Sequence, residues 1–266
     1  MKFENIFEIK EIRKGRDLAL YRLNANYDKH IYFIHGAGGR ADQWLHQVEY
    51  FKDQYQITLV DLLGHGRSPK EKMGYTFSEL FKDVEAVFQE NKCTKNIIIA
   101  HSYGVAFALH LFLSNTSEIQ KLILIGANQP RLSSGAGIWN LPAFILEWMR
   151  PIFSKGFVKG AFHPKTNQEF VKKEQSISDN NPMFVMKQLI KGMREMPGLD
   201  LGNIPIPILI INGEADGLTP VSGAKELSTL LPKAELIVVE KASHLVMMEQ
   251  PETVNKLIRD FINQSA

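Results

Sequence analysis

Cysteine is nearly absent from this 266-residue chain, and Cys93 stands alone. No intrachain disulfide can form, which fits a reducing compartment and leads us to expect a cytoplasmic protein. Cys93 follows Lys92 at the end of a helical pattern and reads as a structural thiol. An excess of one charge is missing too. Lys and Arg total 31 against 29 Asp and Glu, a formal net charge of +2. The whole chain therefore carries no electrostatic footprint for nucleic acid or an anionic membrane. No run approaches the roughly 18 apolar residues that span a bilayer. The N-terminal "MKFENIFEIKEIRKGRD" alternates apolar and charged residues and lacks the apolar core of a signal peptide. Metal-ligand spacings such as H-E-x-x-H are missing as well. His35, His65 and His101 flank Gly-rich motifs and read as packing or orienting residues. Neither a metal nor a cofactor is expected.

What is present is a regular alternation. "FENIFEI" and "LALYRL" alternate with period two around "KGRD", the pattern of a hairpin. "IYFIH", "ITLVD", "NIIIAH", "KLILIG", "IPILIING" and "AELIVVE" are instead continuous and rich in Ile and Val, as parallel strands buried on both faces must be. Helical patterns separate most of them. In "TFSELFKDVEAVFQENK", Phe77, Leu80, Phe81, Val84 and Phe88 form one stripe, and Thr76 with Glu79 predicts a capping box. Pro251 suits the first turn of the last helix. Together these predict an α/β fold: an eight-stranded, mostly parallel sheet with helices on both faces, led by an antiparallel hairpin.

Strand patterns stop between residues 128 and 202. Amphipathic runs such as "PAFILEWM" and "FVMKQLIKGM" fill this segment, with Trp139, Trp148 and five methionines. Its aromatic content argues against disorder. We expect a helical lid over the carboxyl edge of the sheet, set into a core of residues 1–127 and 203–266. Its Met and Phe side chains read either as plain core or as the lining of a substrate pocket, because a cap must present one face to the cleft.

The stretch "IYFIHGAGGRAD" allows two readings. Gly36 to Ala41 fits G-x-G-x-x-G/A, the dinucleotide fingerprint, with Asp61 downstream for a ribose. The same turn could donate backbone N–H groups to an oxyanion. The rest of the chain favours the second. Ala100-His101-Ser102-Tyr103-Gly104 stands where a strand runs into a helix, the small-x-Ser-x-Gly pattern of a nucleophile elbow. A Ser needs a base, and a His oriented by a carboxylate supplies one in the order Ser, Asp, His. Asp216 in "IINGEADGLTP" and His244 in "VVEKASHLVMMEQPE" follow the last two strands, with Glu214 an alternative carboxylate. Carboxyl strand ends converge on one crevice. The plainer alternatives are a helix-capping Ser102, a turn-forming Asp216 and a loop His244 bonded to backbone.

"HGAGG", "DLLGHGRS", "AHSYG" and the late "GEAD" with "ASHLVMMEQPE" together resemble the α/β-hydrolase fold family across nearly the whole chain. The resemblance implies Ser102 as nucleophile, Asp216 as acid and His244 as base. It also implies an oxyanion hole from the N–H groups of Ala37 and Tyr103, and it matches the 128–202 segment to the family's helical cap. Ala100 replaces a commoner Gly but stays small. The expected activity is hydrolysis of a small or medium ester with an apolar part, by a Ser-His-Asp acyl-enzyme route needing no cofactor. Alternatives on the same residues are carbon–carbon cleavage of ring-fission diketones, or hydrolysis of lactones and amides. A non-catalytic ligand receptor belongs to another class. The expected partner is a small-molecule substrate, with neither nucleic acid nor an integral membrane segment.

Overall fold

Two kinds of strand pattern occupy different parts of a single sheet. The computed structural model describes residues 3, 6–129 and 137–264. β1 (Phe7–Arg13) and β2 (Arg16–Leu23) form the antiparallel hairpin, turning at Lys14-Gly15 with Gly15 at φ +72°. β1 begins at Phe7, later than the alternation from Phe3 suggests, and Glu4 and Asn5 lie outside the described residues. Pairing counted back from the tight turn ends at Phe7↔Tyr21, and Phe3 instead packs edge-on against the Tyr21 ring at 5.4 Å. β3 (Lys29–Ile34), β4 (Gln56–Asp61), β5 (Lys95–His101), β6 (Ile119–Ile125), β7 (Ile208–Gly213) and β8 (Ala234–Val239) run parallel. The order is β1-β2-β4-β3-β5-β6-β7-β8, eight strands with the hairpin at one edge. Strands β3 to β7 are buried along almost their whole length, which is why their sequences are continuous rather than alternating.

Helices cover both faces. α1 (Leu45–Phe51) lies on one face, while α2 (Phe77–Asn91) and α3 (Gly104–Ser114) lie on the other. Thr76 caps α2 by accepting the Glu79 N–H at 3.2 Å. The reciprocal half of the capping box is not made, because the Glu79 carboxylate is drawn to Arg13 at 2.6 Å and Lys82 at 2.9 Å. Between β6 and β7 come α4 (Ala143–Trp148), α5 (Arg150–Ala161), α6 (Gln168–Asp179) and α7 (Met183–Met193). No strand occurs there among the described residues, and residues 130–136 of the expected insertion lie outside them. α8 (Val221–Leu230), α9 (Val246–Glu249) and α10 (Pro251–Asn263) complete the core, with Pro251 opening α10 as expected.

Candidate active site

Ser102 occupies a strained position. Leaving β5, the chain turns at Ser102 with φ +52°, a left-handed conformation costing roughly 1–3 kcal/mol for a residue with a side chain. The turn is held by Ser102 N donating to Ile125 O (2.9 Å) and Val105 N to Ser102 O (3.0 Å). It is also tight. A Cβ on Gly104 would stand 2.6 Å from the Ile34 carbonyl oxygen, and one on Gly36 would stand 2.8 Å from Ser102 Cβ. Both positions therefore require glycine, while Ala100 is fully buried between Ile34 and Leu124 in the sheet.

Asp216 and His244 come from the loops after β7 and β8. His244 Nδ1 lies 2.9 Å from Asp216 Oδ2, with both side chains buried. Glu214 points elsewhere, accepting the Lys241 N–H at 2.7 Å. Asp216 Oδ1 accepts the N–H groups of Leu218 (2.9 Å) and Thr219 (2.7 Å). Burial alone would raise the Asp216 carboxyl, but the hydrogen bond and charge of His244, with Thr219, hold it below the usual carboxylate range. His244 adjoins the turn that carries Ser102. A Cβ on Gly126, where the chain leaves β6 at φ +55°, would stand 3.1 Å from His244 Nδ1 and 3.2 Å from His101 Nε2. His101 Nε2 donates to the His244 carbonyl at 2.9 Å, and the two rings lie 4.5 Å apart.

The Gly36–Gly39 turn faces the same place. Gly39 N donates to Gly36 O at 3.0 Å and Gly38 takes φ +72°, a turn that needs glycine at its third residue. Its orientation is fixed by two neutral histidines. Leu62 N donates to His35 Nε2 (3.0 Å) and Gly38 N to His65 Nε2 (2.9 Å), so each ring carries its proton on Nδ1 and donates it to a carbonyl. Burial holds His35 down to about 4 and His65 to about 3. The backbone N–H groups of Ala37 and Tyr103 donate to no backbone acceptor among the described residues. Asp61 is fully buried and held within the fold, out of reach of a ribose. Its carboxylate accepts Ala41 N (2.7 Å), Arg67 N (2.8 Å) and the Tyr21 hydroxyl (2.8 Å).

A cavity of about 260 Å³ adjoins the turn at Ala37 and Gly38. Trp139, Phe153, Phe157, Met183, Met186 and Leu218 give it apolar walls, and Arg150, Ser154 and Asp179 a polar end. Ser102 and His244 do not line it; the cavity reaches the site through Ala37 and through Leu218, two residues past Asp216. Met183 and Met186 line the cavity, and Met186, Met193 and Met196 pack against the core. Polar contacts tie the inserted helices to the site loops. Arg40 pairs with buried Glu174 at 3.0 Å, and Asn181 Nδ2 donates to Gly38 O at 3.0 Å. At the end of α5 the Gly160 carbonyl accepts both Gly217 N (3.0 Å) and Ser243 Oγ (2.9 Å).

Sequence reasoning missed Thr219. Its hydroxyl lies 2.7 Å from Asp216 Oδ2, 3.0 Å from His244 Nδ1 and 2.9 Å from Gly126 O. The signal was present in "ADGLTP", where an Asp accepting N–H groups two and three residues on makes an Asx turn that folds Thr219 back over it. Cys93 Sγ lies 3.2 Å from both Tyr27 O and Gln56 Oε1, either of which can accept its single S–H, and burial raises its pKa. Among the described residues no group of three or more His, Cys, Asp or Glu could hold a metal, and no helix is long and apolar enough to cross a membrane.

The sheet order, the helices on both faces and the serine at a strained strand-to-helix turn define the α/β-hydrolase fold. Residues 25–251 match the family described as serine aminopeptidase, S33, and the chain belongs to that family of hydrolases. It is 31% identical over 245 residues to protein ABHD8 of Homo sapiens, covering 90% of this chain and 56% of that protein. The chain thus spans little more than half the length of that relative. Pimeloyl-[acyl-carrier protein] methyl ester esterase of Vibrio cholerae is 22% identical over 258 residues, covering 92% of this chain and 98% of the esterase. Among solved structures, an α/β hydrolase from a Medee basin deep-sea metagenome library superposes with a TM-score of 0.84 at 21% identity, covering 97% of this chain and 98% of that one.

Proposed function

We propose that the protein is a serine hydrolase cleaving a small or medium carboxylic ester whose apolar part lies in the cavity beneath α4–α7. The Asp216–His244 pair at 2.9 Å, set against the positive-φ turn that presents Ser102, carries this reading. His244 takes the Ser102 proton as Ser102 Oγ attacks the ester carbonyl. The N–H groups of Ala37 and Tyr103 receive the oxyanion, where one such donor is typically worth about 2.7–4 kcal/mol of barrier. His244 then protonates the leaving alcohol, and in the second half activates the water that releases the acid. Asp216 keeps the imidazole proton on Nδ1 and stabilises the charged ring, while Thr219 gives the Nδ1–H a second acceptor. In this reading residues 128–202 are a cap on a core of residues 1–127 and 203–266. The methyl-ester activity in the name of the Vibrio cholerae relative supports an ester substrate.

A second reading rests on Asp179. Its carboxylate lines the cavity and accepts Ser154 Oγ at 3.0 Å, so it could meet the amine of an aminoacyl substrate, in keeping with the family's description. Hydrolysis of p-nitrophenyl esters of increasing acyl length, run beside aminoacyl p-nitroanilides, separates the two. The ester reading expects turnover with a chain-length optimum set by a cavity of about 260 Å³, lost in Ser102→Ala. Faster turnover of the anilides would replace it with the second reading, and inactivity on both would defeat each.

A further inference from the structure

Helices α4 and α5 have two unlike faces. Phe153, Ser154 and Phe157 turn inward and line the cavity. Phe144, Trp148 and Ile152, each four residues from the next, turn outward and are 74%, 83% and 65% exposed. These are among the most exposed large apolar side chains described, and they form one stripe. The exposed Lys155 and Lys159 continue it by one and two turns along α5. No acid competes on α5, which carries Arg150, Lys155 and Lys159 and neither Asp nor Glu. Of the acids beside α5, Glu147 in α4 is committed to Arg150 and to the Met183 N–H at 2.7 Å, and Asp179 lies on the cavity side, accepting Ser154 Oγ at 3.0 Å.

We propose that this stripe docks the protein on an anionic lipid surface, Phe144, Trp148 and Ile152 entering the headgroup boundary and Lys155 and Lys159 meeting lipid phosphates. An aromatic and aliphatic row bordered by lysines is the composition of helices that lie in a membrane interface, with Trp favouring the wet-to-apolar boundary. The charge supports lipid over a neutral apolar partner, since a cationic row without acids fits an anionic surface. The size argues against a second copy of the chain. Three side chains of this kind expose on the order of 400 Å², about half the ~800 Å² per partner of a stable protein interface. The balanced whole-chain charge hides this feature, because the asymmetry is confined to one helix. Docking this way would set the outer wall of the cavity against the bilayer, the source of an apolar substrate. That last consequence rests on the proposed hydrolase reading; the docking itself does not.

Co-sedimentation of the full chain with vesicles tests it, using phosphatidylcholine alone and phosphatidylcholine with one-third phosphatidylglycerol. Wild type is expected on the anionic vesicles and much less on the neutral ones, with binding falling as salt rises. Trp148→Ser with Ile152→Ser should weaken binding by about tenfold or more, and Lys155→Glu with Lys159→Glu by about fivefold or more for each lysine. All four side chains are exposed and outside the cavity, so turnover of a water-soluble ester should stay at the wild-type level. Ser102→Ala should sediment like wild type, which keeps docking distinct from catalysis. Wild type that stays in the supernatant, or variants that bind as well as it does, would overturn the proposal. So would a dimer in solution that Trp148→Ser dissociates, since a second copy would then cover the stripe.

Discussion

The loops at the carboxyl ends of the strands and the helical insertion meet at one place but are built differently. In the loops, polar groups are spent on one another. His35 and His65 hold the Gly36–Gly39 turn, His101 holds the His244 backbone, and Thr219 joins Asp216, His244 and Gly126. The insertion keeps some apolar side chains in solvent, buries others such as Val185 and Leu189 in the core, and adds polar clasps that include Arg40–Glu174, Asn181 to Gly38 O, and the Gly160 carbonyl. Such a division suits a hydrolase. A rigid set of strand ends can fix the reacting groups to fractions of an ångström, while a wall built on separate helices can vary without disturbing them.

The largest expected effect belongs to the rigid half. Ser102→Ala should lower kcat on the best ester by on the order of a millionfold, with its urea midpoint close to wild type. Equal turnover would break the comparison at its base. Ser102→Gly should be equally inactive yet about 1 kcal/mol more stable, since glycine adopts φ +52° without strain.

Acid should act through four buried histidines, three at the carboxyl ends of the strands and His30 at the amino end of β3. Burial holds His30 and His35 near 4 and His65 and His101 near 3, against about 6.5 when unfolded. Their folded pKa values are depressed, so the unfolded chain binds more protons as pH falls below 6.5. Stability from these groups is complete above that value and lost as pH falls, down to about 4 for His30 and His35 and about 3 for His65 and His101. Four histidines titrating together give a slope of about 5 kcal/mol per pH unit, which urea midpoints between pH 7 and pH 5 would register as a steep fall. A flat profile would mean these rings are not buried neutral.

The clasps come next. Arg40→Ala leaves the Glu174 carboxylate buried without its cation and should destabilise by about 3–5 kcal/mol, whereas replacing both with methionine should be nearly neutral. Protease susceptibility of residues 143–193 should rise in the single variant before that of the core. If both regions become susceptible together, insertion and core unfold as one unit and the comparison loses its second term.

The smallest effect concerns Thr219. Thr219→Val removes one acceptor from the His244 Nδ1–H and should cost about fivefold in kcat with KM nearly unchanged, and Thr219→Ser should restore it. Failure of serine to rescue would leave Thr219 a packing role alone.

Legibility in the sequence divides along the same boundary. Strands β3 to β7 could be read because residues buried on both faces leave runs such as "NIIIA" that no other element needs, and the hairpin because its strands alternate. Ser102, Asp216 and His244 could be read because their motifs stand at strand ends, and the structure brings Asp216 and His244 together beside the Ser102 turn. Thr219 could not, because a threonine in a turn looks ordinary until the Asx turn at Asp216 folds it over the carboxylate. The clasps were illegible for another reason. Arg40 and Glu174 are 134 residues apart, and neither lies in a pattern that demands a partner. The start of β1 shifted because its register is counted from the hairpin turn, which periodicity does not see.

The most direct test of the account is to find where an acyl-type probe attaches. The protein would be incubated with an ester-like organophosphonate and its peptides mapped by mass spectrometry. The account predicts one adduct, on the peptide carrying Ser102, that forms far more slowly in His244→Gln. An adduct at another side chain, or labelling of Ser102 at the same rate without His244, would contradict it.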